Sequence, residues 1–351
     1  MPTLYKTTSG IRLVGKFFGL GLGAVLITFI LFKVGTVLKE IISPTPLPPP
    51  TITFGKLPEI IFHASIDGSK NSYTLNTLTG SLPTFPDRIS VYKTEEEIPG
   101  LLTIERARAR VKNIGFSGNG VALSPSIYQW TNSVSPFKRL VTNIINFNFN
   151  LTSAYATDET ITRNNVLPSE NEAVKKATEF LQSFSGIPTD IDMDKTKTTL
   201  FQIQNGELTQ VQSISNTQII RVDYYQKDIG GYRIFYPNPD FSTMNLLVAK
   251  GTREPVVEAH FFHTKIASDS AGTYPIITAQ EAWSILKKNN AHIARYDGES
   301  KSIDIQKIEL GYYSPDSKTT YLMPIIVFSG DDNFRAYIPA ITSEWIEKST
   351  N

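Results

Sequence analysis

Apolar residues are continuous at the start of the chain and periodic afterwards. From Phe17 to Phe32 it reads FFGLGLGAVLITFILF, uncharged and apolar on every face of a helix, and the apolar character resumes after Lys33 as VGTVL. Crossing a hydrocarbon core takes about 20 such residues, and Lys16 and Lys33 extend the span by reaching the two interfaces with their ammonium groups. The pattern predicts one transmembrane helix, embedded over residues 14–38. It is expected to stay uncleaved, because the apolar run outlasts a signal-peptide core and Lys33 to Ile42 offers no small-x-small triplet. Ser43 to Pro50, SPTPLPPP, fixes φ residue after residue and predicts a polyproline-II spacer.

Beyond the spacer, helical and alternating patterns take turns. EIIFHASI and SYTLNTL, parted by DGSKN, predict a hairpin, and Thr103 to Gly115 predicts a helix ended by glycine. Strands follow from Val121, with alternation between Arg139 and Ser153. Ser169-Glu170-Asn171-Glu172 is a capping box opening a helix whose apolar stripe is Ala173, Ala177, Phe180, Leu181 and Phe184. That helix stops at Gly186-Ile187-Pro188, and strands come next with Asn205-Gly206 and Gly230-Gly231 as turns. A second box, Thr278-Ala279-Gln280-Glu281, opens another helix, followed by a meander over Ser302–Tyr313, Thr319–Phe328 and Phe334–Ile341.

The expected fold class is α+β, with tandem modules each laying one helix on its own twisted antiparallel sheet. The boundaries are 1–42 for tail and anchor, 43–58 for the linker, and 59–160, 161–270 and 271–351 for three modules.

Ser169-x-x-Glu172-Ala173-x-x-x-Ala177 and Thr278-x-x-Glu281-Ala282, each leading from helix into strands, resemble the opening of PepSY-type modules. Leu310-Gly311-Tyr312-Tyr313, Leu322-Met323-Pro324-Ile325 and Tyr337-Ile338-Pro339-Ala340 make the third unit similar to the extracytoplasmic domains of YycH/YycI-type proteins. These are membrane-anchored regulators of a cell-wall sensor kinase. The resemblance spans residues 165 to 345 and implies a kindred fold that works through protein contacts, with no catalytic residues to carry over.

Composition narrows the chemistry. A net charge of +1 excludes a strongly basic nucleic-acid binder, and the lack of cysteine removes disulfides, thiolate metal sites and thiol nucleophiles. Residues 1–42 hold five basic groups and one acid, which leaves the remainder mildly acidic with 29 basic against 32 acidic residues. The basic excess before the apolar run favours a cytoplasmic N-terminus.

No catalytic constellation survives inspection. Glu258-Ala259-His260-Phe261-Phe262-His263 has metal-ligand residue types, but on a strand His263 points away from Glu258 and His260. Asp190-x-Asp192-x-Asp194 imitates a calcium loop yet has Lys195 where glycine belongs and Phe201 where the bidentate glutamate belongs. Ser135-Pro136-Phe137-Lys138 is formally S-x-x-K but sits before a strand, and K-T-G is absent. The adjacent pairs Tyr224-Tyr225 and Tyr312-Tyr313 each put one ring outward on a strand, the speculative partner contacts.

The reading is thus a non-enzymatic, single-pass membrane protein, N-terminus inside, whose extracytoplasmic part binds an envelope protein or peptide. No cofactor, metal or nucleic acid is expected. Two alternatives stay open: a cell-envelope enzyme with a site assembled from distant residues such as Asp223, Glu258 and His260, and a structural surface spacer.

Overall fold

A computed structural model of the chain describes residues 26, 28–33 and 49–347, except 63–65, 67–70, 97, 133–136, 163–168, 250, 251 and 253. It divides into two compact units, Met1–Pro49 and Pro50–Asn351. In the first, residues 26 and 28–33 form helix α1, and the side chains of Leu26, Phe29, Ile30, Leu31 and Phe32 are exposed. Among the described residues no helix is long and apolar enough to cross a membrane. A transmembrane helix is therefore not an element of the described fold; residues 14–25, 27 and 34–38 of the expected span, and the spacer to residue 48, lie outside the described residues.

The second unit begins with β1 (Ser72–Leu75), β2 (Arg88–Thr94) and helix α2 (Thr103–Asn113). Next come β3 (Val121–Ala122), β4 (Ile127–Asn132), β5 (Lys138–Asn143), β6 (Phe149–Ser153) and the short α3 (Glu159–Thr162). Helix α4 (Glu170–Ser183) leads into β7 (Ile191–Gln204), β8 (Glu207–Gln210), β9 (Ile219–Gln226), β10 (Ile234–Phe235), β11 (Met244–Ala249), β12 (Val256–Phe261) and β13 (Ile266–Pro275). Helix α5 (Ala279–Lys287) precedes β14 (His292–Arg295), β15 (Ser302–Tyr313), β16 (Tyr321–Gly330) and β17 (Arg335–Pro339).

Local chemistry explains the ends of these elements. Ser169 Oγ accepts from Glu172 N at the start of α4, and Thr278 closes a full capping box with Glu281 at the start of α5. Asn205 and Gly206, at φ 53° and 85°, make the left-handed turn that joins β7 to β8.

The expected tandem modules are corrected by the strand pairing. Among the described residues strand prevails over helix, and the strands form two large sheets. The nine-stranded sheet runs β3-β4-β5-β6-β12-β11-β9-β7-β8. The eight-stranded sheet runs β1-β15-β16-β17-β14, with β10 on β15, β2 on β16 and β13 on β2. Strands from the expected first module thus serve both sheets: β6 pairs with β12, while β1 pairs in parallel with β15. Residues 63–65 and 67–70 of the hairpin expected between Glu59 and Leu78 lie outside the described residues; its second half, β1, pairs in parallel with Ser302 to Ile305, some 230 residues downstream. Alternation marks a strand but carries no information about its distant neighbour.

The nine-stranded sheet packs α4 against one face. A single register row across that face reads Trp130, Leu140, Leu151, Ala259, Leu246 and Val222, all at most 2% exposed. Helix α4 adds Ala173, Ala177 and Leu181 from its buried stripe. A cluster of Phe149, Phe180, Phe184 and Phe261 closes the contact. The eight-stranded sheet is buried on both sides. Ile326 and Phe328 face the main core, whereas Tyr313, Ile325, Val327 and Tyr337 form a separate cluster under Ile60 and Phe62.

Candidate functional site

The row beside the apolar one in the nine-stranded sheet has the opposite character. It reads Gln129, Val141, Asn150, His260, Asn245, Asp223 and Lys197, one residue per strand, on the face that α4 leaves uncovered. Where this face meets the loop after β2 and the approach to β16, a cleft of about 750 Å³ opens. One wall carries Asn143, Asn146, Asn148 and Asn150 with His260 and His263; the other carries Glu95, Glu96, Ile98, Pro99, Lys265 and Lys318.

The floor is held by paired polar groups. Asn148 Oδ1 accepts from His263 N at 3.0 Å, and its Nδ2 donates to His263 O at 3.2 Å, so this side chain extends the ladder like a peptide. His263 Nε2 donates to Asp190 Oδ1 at 2.8 Å, and Gln226 Nε2 donates to Asp190 Oδ2 and to Thr264 O. Burial pushes the Asp190 carboxyl up, but the hydrogen bonds and charge it receives from His263, helped by Gln226, outweigh that and leave it below its usual range.

His260 lies in the uncovered row with Nδ1 donating to Asn150 Oδ1 at 2.6 Å. Burial lowers its imidazole below the usual value, against the opposing pull of the Asp316 carboxylate. The rim charges are already matched, Lys265 to Glu95 at 2.5 Å and Lys318 to Glu96 at 3.1 Å.

The residues singled out by sequence are not brought together. Tyr224 is fully buried under α4, its hydroxyl 2.9 Å from Thr178 Oγ1, and burial pushes its pKa up to about 12. Tyr225 is half-buried beside Tyr236. Tyr312 and Tyr313 are 1% and 2% exposed, so the outward ring expected of that pair does not exist. Tyr312 donates to Ser90 O on one face, while Tyr313 faces the second cluster. Partner contact is thus physically open to Tyr225 alone of the four.

Asp223 and His260 share the uncovered row but are separated by Asn245, and each polar group is engaged elsewhere. Asp223, 1% exposed, accepts from Arg221 Nε at 2.9 Å and from Ser242 N at 3.2 Å. Burial raises its carboxyl despite the Arg221 guanidinium. The Glu258 carboxyl, also raised by burial, hydrogen-bonds the Tyr155 hydroxyl.

Asp192 contacts Lys195, while Asp190 is held by His263, which disperses the Asp190-x-Asp192-x-Asp194 triplet. Among the described residues no three acidic or histidine groups converge on a metal position. Ser135 and Pro136 lie outside the described residues. Lys138, at 5% side-chain exposure, donates to Glu254 Oε2 at 2.8 Å and Val256 O at 3.1 Å, beside a second cleft of about 610 Å³ along α4.

The asparagines of the cleft were missed by sequence reasoning that took Arg139 to Ser153 only as strand. Their signal was partial: Asn146 and Asn148 fall in the turn between β5 and β6, where asparagine is a favoured residue, and of Asn146, Asn148 and Asn150 only Asn150 lies within a strand.

No family model matches the chain, and no curated protein matches it. Among solved structures, an uncharacterized protein from Eubacterium rectale is similar over 75% of this chain and 85% of its own length, at 9% identity and a TM-score of 0.34, a likeness too slight to bear on fold or function.

Proposed function

We propose that the chain is a membrane-anchored binding protein whose extracytoplasmic unit from Pro50 receives a segment of an envelope protein or peptide in the amide-walled cleft, without catalysis. The carrying observation is the cleft itself: a concavity of about 750 Å³, within the range of ligand sites, lined by asparagine amides and matched ion pairs. Against an assembled enzyme site, Asp223, Glu258 and His260 each spend their polar atoms on separate neighbours.

Membrane attachment through Phe17 to Phe32 rests on the uncharged apolar run in the sequence. Kinship with YycH/YycI-type regulators, carried by the sequence motifs of the third unit, is part of the same proposal.

Site-directed photocrosslinking in cells tests it. A benzophenone side chain at Ile98 should yield a discrete adduct in the alkali-resistant membrane fraction, whereas one at Leu78, exposed but not lining the cleft, should not. Equal labelling from both positions, or a chain released from membranes by alkali, would overturn the reading.

A further inference from the structure

The hydrogen-bonding capacity of the cleft has a direction. With Asn150 Oδ1 taking the Nδ1 proton, the unprotonated His260 ring has its other nitrogen, Nε2, as an acceptor. Asn143 Oδ1 accepts from Ile145 N at 2.9 Å and Asn146 Oδ1 accepts from Asn148 N at 3.0 Å. Their Nδ2 groups, like that of Asn150, have no protein partner among the described residues. One wall therefore offers three amide donors and one acceptor.

Charge offers nothing further, because the two acids and two lysines of the other wall are paired with each other. A charged ligand would lose hydration there without meeting a free counter-charge. The apolar part of the site is its rim, where Ile98 is 87% and Ile127 37% exposed.

We infer that the cleft takes an uncharged, extended peptide segment bearing one aliphatic side chain. Its carbonyl oxygens accept from the Nδ2 groups of Asn143, Asn146 and Asn150, one of its N–H groups donates to His260 Nε2, and the aliphatic side chain covers Ile98 and Ile127. A main chain supplies donors and acceptors in alternation at neutral charge, which is the complement of this wall. A glycan would also satisfy the amides, but it brings no aliphatic group and leaves the two isoleucines facing water. The inference rests on the cleft being the partner site.

The experiment uses the full chain in lipid nanodiscs, probed with an array of random octapeptides, acetylated and amidated at their ends, and in parallel with tetra-N-acetylchitotetraose. The expected result is retention of peptides that lack Asp, Glu, Lys and Arg at central positions and carry one Leu, Ile or Val. Asn150→Leu and Ile98→Asp should each weaken them at least tenfold, with Leu78→Asp unchanged and all variants unfolding at the wild-type temperature within a few degrees.

Retained peptides that depend on Asn150 and Ile98 but are rich in charge would overturn the ligand class while leaving the cleft as the partner site. Cleft-dependent binding of the chitotetraose without any peptide would overturn it in favour of a glycan. If neither probe shows binding sensitive to Asn150→Leu or Ile98→Asp, the cleft is not the partner site and the proposed function falls with it.

Discussion

The two sheets solve burial differently. In the eight-stranded sheet, β16 carries seven consecutive buried residues from Leu322 to Phe328, because one face meets α5 and the main core while the other is covered by Ile60 and Phe62. In the nine-stranded sheet α4 covers one face only, and neighbouring register rows split into Trp130-Leu140-Leu151-Ala259-Leu246-Val222 and the polar row through Asn150 and His260. A sheet covered twice has no surface left for recognition. On the nine-stranded sheet the face opposite α4 is covered only in part, where Ile161 packs on Ile219, Leu247, Ala249 and Val257; the rest stays polar, and the cleft forms where that polar stretch meets the loops of its neighbour.

The comparison breaks first under core truncation. Phe328→Ala should cost about 3–5 kcal/mol and Val327→Ala, on the opposite face, about 2 kcal/mol by denaturant unfolding, since both are fully buried. In the nine-stranded sheet the same test should separate adjacent residues of β5. Leu140→Ala is expected to cost about 2–4 kcal/mol, whereas Val141→Ala, half-buried on the uncovered face, should cost under about 1 kcal/mol. Equal losses at 140 and 141 would mean that this face is covered after all.

The tyrosine pairs sharpen the contrast at smaller amplitude. The Tyr313 hydroxyl is buried with no hydrogen-bond partner among the described residues, so Tyr313→Phe should raise stability by about 1 kcal/mol. Tyr225→Phe, half-buried, should leave it within about 0.5 kcal/mol.

The smallest effect is a pH dependence confined to the uncovered face. His260 is depressed in the folded chain, chiefly by burial, so the unfolded chain binds its proton first as pH falls. Its contribution is present above the ordinary histidine value of about 6.5 and is lost as pH falls toward the lowered folded value. The wild type should lose stability across that window by an increment that His260→Gln removes, measured as unfolding midpoint against pH; identical profiles would contradict the burial of the ring.

Legibility followed the range of the interactions concerned. The helix from Thr103, the caps at Ser169 and Thr278, and the Asn205-Gly206 turn were readable because each depends on residues within a few positions. The pairing of β1 with β15 was not, because Ser72 and Ser302 share no local signal. Tyr312 and Tyr313 were misjudged for a related reason: alternation gives opposite directions to the two rings, but whether the second direction meets water depends on the segment carrying Ile60 and Phe62. In the candidate site, Asn150 and His260 lie 110 positions apart and become neighbours only through the register of β6 on β12.

By itself, the sequence determined the elements, their caps and turns, the uncharged N-terminal run, and the absence of cysteine chemistry, all set by side-chain size, charge and backbone preference at close range. Tertiary structure alone decided that two sheets replace three modules, which strand faces are covered, and that four asparagines and His260 line one cleft. Those outcomes depend on which distant strands exchange hydrogen bonds, and every exposed strand edge offers the same backbone donors and acceptors to many partners.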